Sequence, residues 1–285
     1  MERIVPKHAV ICAFLGQTRD RFHQYNEVRD LEAKLKLAGQ IPGVSGVEVV
    51  FPYEVNDAPR LTALLKEHHL DVAAINVNVK AEPEFRDGGL TSTDKAIREK
   101  AIRFIKEAKE FAQAVGANKV TCCPLGDGYE FNFHCHYARM WQYLVESFRE
   151  AGEYLREIPL FVEYKPSETR GRCFVDTAAK ALVLLNDIGL DSMGVTVDFG
   201  HSTYGQENFE FLYYLQEYEY DDFLTSDTSP TRWDIQGTFE VNTRLTNKMW
   251  NRLYDLDRDH FRALISTRDH LKTWSFIENE ILALR

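Results

Sequence analysis

Three acidic residues stand directly after short apolar runs: Glu163 in Leu160-Phe161-Val162-Glu163, Asp198 in Val195-Thr196-Val197-Asp198, and Asp227 in Phe223-Leu224-Thr225-Ser226-Asp227. A carboxylate that follows residues bound for the interior is costly unless it is paired or ligates a cation. If the three converge, they suit a divalent metal. Oxygen-rich ligands favour Mn²⁺ first, with Mg²⁺ or Co²⁺ as alternatives, over a thiolate-selected metal. The spacing is equally compatible with each carboxylate pairing with a nearby cation, such as Lys165 or Arg170, or capping the next helix.

Lys165 and His201 adjoin two of these carboxylates and are placed to orient a substrate oxygen or move a proton. Glu163, Lys165 and His201 are therefore the catalytic candidates, and Glu163, Asp198 and Asp227 the metal-ligand candidates. Asn76, Asp127 and Arg170 are the expected substrate contacts. Asp127 lies in the Gly-rich turn Cys122-Cys123-Pro124-Leu125-Gly126-Asp127-Gly128, where it is also suited to bond its own backbone. His134 and His136 alternate around Cys135 without the spacing of an established metal site, which marks them as loop or substrate-proximal residues.

What must position these groups is a set of short β-branched or apolar runs separated by stretches of helical periodicity. That is the pattern of a parallel sheet with crossover helices. The runs cover residues 8–14, 46–51, 72–78, 119–123, 160–164, 194–198 and 223–227. One marker per run (Cys12, Glu48, Asn76, Cys122, Glu163, Asp198, Asp227) gives spacings of 28 to 46 residues, each sufficient for one βα unit. Polar residues at the C-terminal ends of such strands face a barrel mouth. The helix expected over residues 96–115 carries Ile97, Ala101, Ile105, Ala108 and Phe111 as its apolar stripe, with Gly116 as the stop. Asp176 is expected to cap a helix from Thr177 to Gly189, and the segment after Gly237 reads as helices.

At 285 residues and 44% hydrophobic composition the chain is long enough for one α/β barrel domain covering residues 1–285. A net charge of −10 without a basic stripe argues against a nucleic-acid partner and for a small molecule. The first apolar run is too short to span a membrane, and no secretory cleavage pattern follows it. Five unpatterned cysteines fit a reducing environment, so the expected location is the cytoplasm, with homo-oligomerisation compatible.

Five stretches together resemble the xylose-isomerase-like barrel proteins, in particular sugar isomerases of the rhamnose-isomerase type. They are Gly46-Val-Glu-Val-Val-Phe-Pro, Val120-Thr-Cys-Cys-Pro-Leu-Gly-Asp-Gly-Tyr, Val162-Glu-Tyr-Lys-Pro-Ser-Glu-Thr-Arg, Gly194-Val-Thr-Val-Asp-Phe-Gly-His and Tyr220-Asp-Asp-Phe-Leu-Thr-Ser-Asp. The resemblance implies a TIM-barrel-like fold and a metal-dependent isomerase or epimerase acting on a small sugar, by proton or hydride transfer. It also implies a metal held by a Glu of the fifth strand, an Asp of the sixth, a His of the seventh and an acid of the eighth. Glu163, Asp198 and Asp227 carry over. The histidine does not, because the Gly-His segment at His201 runs through Asn208 directly into Phe209. One βα unit is missing, which leaves about seven strands where a closed barrel has eight.

The strand ending at Asp227 is then expected in the place of the seventh or eighth. Activity is expected to be weak or absent, since three carboxylates lack the imidazole of the full site. A catalytically inactive sugar-binding barrel is the rival reading. An apurinic-endonuclease-type phosphodiesterase shares the architecture, and the acidic charge and sparse strand-end histidines disfavour it.

Overall fold

The structure is a computed structural model that describes residues 3–207 and 215–283. The seven runs become seven strands: β1 (Lys7–Ile11), β2 (Val44–Phe51), β3 (Asp71–Val77), β4 (Val120–Cys122), β5 (Leu160–Glu163), β6 (Met193–Thr196) and β7 (Phe223–Ser226). All pair in parallel in the order β6-β5-β4-β3-β2-β1-β7. The central strands are buried on both faces, as β3 shows with Ala73 to Val77 all buried, because crossover helices cover the outside.

The sheet is a curled half-barrel that does not close. β6 and β7 are its two edges, and every residue of both is only half-buried. Because β7 pairs with β1, it occupies the place of an eighth strand, and the opening lies where a seventh would stand. The junction between Asn208 and Phe209, where the missing unit is expected, lies outside the described residues. The carboxylates that follow the two edges, Asp198 and Asp227, still approach within 4.8 Å of each other. Curl alone therefore brings the edges together at the C-terminal mouth.

Helices α1 (Leu31–Ala38), α2 (Ala58–Glu67), α3 (Lys95–Val115), α4 (Tyr137–Glu153) and α5 (Ala178–Ile188) alternate with the first six strands. In α3, Asp94 caps the start by accepting from the Ala96 N–H at 2.8 Å, and Gly116 ends the helix in the left-handed region at φ 76°. The expected stripe is the one that packs inward.

Two boundaries differ from expectation. β1 stops at Ile11, and Cys12–Leu15 tightens into a 3₁₀ turn whose Cys12 and Leu15 still fill the core. The cap of α5 is Thr177, whose hydroxyl accepts from the Lys180 N–H at 3.2 Å. Asp176 instead pairs with the Lys180 ammonium at 2.9 Å.

After β6 comes the short helix α6 (Phe199–Tyr204), and after β7 come α7 (Ile235–Tyr254), α8 (Arg258–Thr267) and α9 (His270–Phe276). The α7 helix braces the closing end of the sheet. Ile235 and Phe239 enter the main core, Asn247 bonds His8 of β1 at 2.9 Å, and the Trp250 indole donates to the Ile4 carbonyl at 2.8 Å. No helix among the described residues is long and apolar enough to cross a membrane.

Packing at the edge strand that positions Asp227 depends on Gly46. A Cβ there would stand 2.6 Å from the Phe223 ring of β7, so the glycine supplies the space into which that ring packs. Gly46→Ala is expected to destabilise the chain by about 1–3 kcal/mol through overpacking. In a urea-unfolding cycle with Phe223→Ala, the two changes should couple by more than about 0.5 kcal/mol. Additive effects would show that the ring swings clear at no cost.

Candidate active site and metal centre

The C-terminal ends of the strands surround a cavity of about 520 Å³, within the ~300–1,000 Å³ range of small-molecule sites. Glu163 from β5, His201 from α6, Asp227 beyond β7, Asn76 from β3 and Lys165 all line it. Asp127 and Arg170 do not. Asp198 does not line it either, yet its carboxylate meets those of Glu163 and Asp227, whereas Asp127 and Arg170 join neither the lining nor the group.

Glu163, Asp198, His201 and Asp227 each present one donor atom, and the four atoms lie within 4.8 Å of one another. Pairing with neighbouring cations does not account for the acids: Lys165 is taken by Glu168, and Arg170 by Glu130 at 2.7 Å. Among the described residues no Lys or Arg lies within ion-pair distance of Glu163, Asp198 or Asp227. Capping accounts for half of Asp198. Its Oδ1 accepts from the His201 N–H at 3.0 Å at the start of α6, while Oδ2 is 3.7 Å from His201 Nε2.

The His201 ring is held by its other nitrogen. Nδ1 lies 2.9 Å from the Tyr164 carbonyl, which can only accept, so Nδ1 carries the proton in the neutral ring and Nε2 the lone pair. Glu163 Oε1 lies 3.3 Å from the same Nδ1. Burial lowers the imidazole's pKa from its ordinary value, against the pull of Asp198.

The electrostatics are those of acids buried close together. Burial, then the charges of Glu48, Asp227 and Asp198, pushes the Glu163 carboxyl up to about 8. Burial, then Asp198 and Glu48, raises Asp227 to about 6. Acidic oxygens with one imidazole and, among the described residues, no Lys or Arg paired to them fit a divalent ion of the Mn²⁺ or Mg²⁺ kind.

Two residues of the mouth were given no site role from sequence, one of them, Glu48, serving only to mark its strand. Glu48 on β2 is buried, with Oε1 accepting from Asn76 Nδ2 at 3.0 Å and Thr121 Oγ1 at 2.9 Å. A carboxylate inside Val47-Glu48-Val49 carries the same signal as the other three. Lys80 lines the cavity, has no ion-pair partner among the described residues, and lowers the pKa values of Glu163, Asp227 and Glu48 by its charge. The Asn78 side chain fixes the turn that carries it, accepting from the Lys80 and Ala81 N–H groups at 3.0 and 2.9 Å.

Asp127 and Arg170 build the wall behind the mouth. Asp127 Oδ1 accepts from both the N–H and the hydroxyl of Thr91 at 2.7 Å, so it secures another loop and not its own turn. Arg170 donates to the Arg86 carbonyl at 3.0 Å and pairs with Glu130, clamping the ribbon in which Gly128–Tyr129 meets Arg172–Cys173. His134 and His136 each accept a backbone N–H, from Glu130 at 2.9 Å and Arg139 at 3.3 Å.

This chain belongs to the xylose isomerase-like TIM barrel family, whose model matches residues 35–231. It is 26% identical over 155 residues to a xylose isomerase of Thermus caldophilus, a match spanning 53% of this chain and 40% of that protein. The chain thus covers well under two thirds of the length of that relative. Among solved structures, D-psicose 3-epimerase with D-tagatose from Clostridium cellulolyticum H10 superposes with a TM-score of 0.66 at 11% identity, covering 88% of this chain and all of that one. A xylose isomerase-like TIM barrel protein from Mycobacterium smegmatis in complex with magnesium gives 0.58 at 14% identity, covering 87% and 97%.

The raised carboxyls set a pH dependence for the metal-stripped chain. Because Glu163 binds its proton more tightly folded than unfolded, its stabilising contribution is complete below the ordinary carboxylate pKa and is lost as pH rises through about 8. Urea unfolding in chelator is expected to show stability falling between roughly pH 5 and pH 8 from this source. Glu163→Gln should flatten that slope. An identical slope in the variant would place the raised carboxyl elsewhere.

Proposed function

We propose that this chain is a metal-dependent sugar isomerase or epimerase acting on a small open-chain sugar, with turnover lowered by the open barrel wall. The observation that carries this reading is the convergence of Glu163, Asp198 and Asp227, with His201, on one cavity at the C-terminal mouth. The family, and a structural neighbour solved with a ketose, support the substrate class. The neighbour in complex with magnesium supports the cofactor class.

A divalent cation held by Glu163, Asp198 and Asp227 would polarise a substrate carbonyl and favour ionisation of the adjacent hydroxyl. Glu163 lies on the cavity wall, and as a carboxylate with two oxygens it is suited to hold the ion with one and to take a proton from one carbon and return it to the next with the other. Lys80 brings an ammonium that no carboxylate pairs with among the described residues, and we assign it the substrate-oxygen contact that sequence suggested for Arg170 and Asp127. Lys165, held by Glu168, becomes a wall residue that contacts substrate only with its pair intact. Asn76 turns its amide nitrogen to Glu48, leaving its oxygen for a substrate hydroxyl.

A phosphodiesterase reading loses support because one imidazole reaches the cluster and the chain carries −10 net charge. Reducing, cytoplasmic surroundings suit the reading, with all five cysteines present as free thiols.

The test is Mn²⁺ uptake by the purified chain together with aldose–ketose and 3-epimer interconversion. One equivalent of Mn²⁺ should bind, and turnover should lie below the ordinary enzymic range of about 1 to 1,000 per second. Glu163→Gln should abolish turnover, and Lys80→Met should raise KM by about 10-fold or more while leaving Mn²⁺ affinity within a few-fold. Failure to bind any divalent metal would refute the assignment. An ordinary rate would keep the isomerase and remove the impairment.

A further inference from the structure

In a closed barrel of this family the metal's imidazole is expected from a strand that this chain lacks. We propose that His201, on the helix after β6, serves as that ligand instead, so that the ion is held by Glu163, Asp198, His201 and Asp227. The inference rests on the metal-dependent reading above.

Three observations carry it. One donor atom from each of the four residues lies within 4.8 Å of the others, a spread that a small inward movement would close to about 4.2 Å, the span across a single ion. The ring is presented as metal-bound histidines are, with one nitrogen donating to a backbone carbonyl, here Tyr164 O at 2.9 Å, which fixes the tautomer and leaves Nε2 bare. And the ring is tied to a second ligand of the set: Asp198 caps α6 through the His201 N–H with Oδ1, and its Oδ2 stands 3.7 Å from Nε2. Moving one of these residues moves the other.

No competing imidazole among the described residues is available. His8 is occupied by Asn247, and His134 and His136 each hold a backbone N–H. His23 stands beside Asp20, His68 and His69 follow α2, and His260 and His270 belong to the helices after β7; none of these eight joins the acidic group.

The substitution has a chemical cost. A ring whose Nδ1 is bonded to Tyr164 and whose Nε2 faces the ion has no nitrogen left for a substrate oxygen. Metal affinity would therefore be kept at the expense of a contact to the sugar.

The experiment uses the full chain, stripped with chelator and loaded with Mn²⁺ alone, and reads nitrogen coupling to the ion by electron spin-echo envelope modulation. Modulation from one imidazole ¹⁴N is expected, changing to the ¹⁵N pattern when histidine alone is ¹⁵N-labelled. His201→Gln should abolish it and weaken Mn²⁺ binding by about 100-fold, at or beyond the roughly 10- to 100-fold cost of losing an outer partner. His8→Gln should leave both unchanged. Bound Mn²⁺ without histidine nitrogen coupling overturns the role of His201 while the carboxylate site stands. No Mn²⁺ uptake overturns both. Should His201→Gln fail to fold, the spectrum of the unaltered, labelled chain still decides.

Discussion

Glu163 is an acid on the inner face of a parallel sheet, buried beside two other carboxylates, with no lysine or arginine within ion-pair distance among the described residues. Such a group is stable only protonated or beside a cation, and the rest of the mouth is arranged around that requirement. Lys165 and Arg170, which could have neutralised it, are held by Glu168 and Glu130. Lys80 softens the repulsion without pairing. The walls thus keep the cluster short of positive charge, and a divalent ion is the compensation that the donor set accommodates.

That cluster also explains why an incomplete barrel can retain a site. Removing one strand from a closed sheet leaves two edges with unpaired backbone groups, and nothing in principle keeps them facing each other. Here Asp198 follows one edge and Asp227 the other, and their approach shows that curl carries the donors across the opening. The support comes from the β7 side. That strand is locked to β1 over four register pairs, and α7 braces β1 through Asn247 and Trp250. On the β6 side, among the described residues, the strand pairs with β5 and packs on α5, and α6 is tied on through the Asp198 cap and the Tyr164–Ser202 hydrogen bond, with no brace comparable to α7. A bound ion would therefore act as a clasp between the braced edge and the loose one, which makes metal content and the integrity of the mouth a single property.

The strands and their order of appearance were legible because parallel, doubly buried strands are short, β-branched and end in polar residues. All seven runs appear, with errors only where local hydrogen bonding decides: the 3₁₀ turn at Cys12–Leu15, and the Thr177 cap taking the place of Asp176. The convergence of Glu163, Asp198 and Asp227 followed from the same rule. Orientation was not legible. Asp127 and Arg170 lie in strand-end loops like true site residues, yet they bond Thr91, Arg86 and Glu130, partners 36 to 84 positions away that no spacing identifies. Lys80 escaped notice for the converse reason. Nothing around it resembles a motif, and its importance comes from what it lacks, a carboxylate partner, together with the Asn78 turn that aims it at the mouth.

The position of His201 links the missing strand to the chemistry. Beside a complete metal site, an imidazole after the sixth strand would be free to meet the substrate; in this mouth it is drawn into the acids, its Nδ1 fixed on Tyr164 and its Nε2 turned toward Asp198. Four negative or neutral donors would hold an ion well, so the proposed binding would survive without that strand. Catalysis depends on groups that stabilise the transition state more than the ground state, and one fewer hydrogen-bonding partner for a developing oxyanion reduces that difference directly. Loss of a βα unit in this geometry would therefore penalise turnover more than metal binding. That ordering follows from one ring having only two nitrogens.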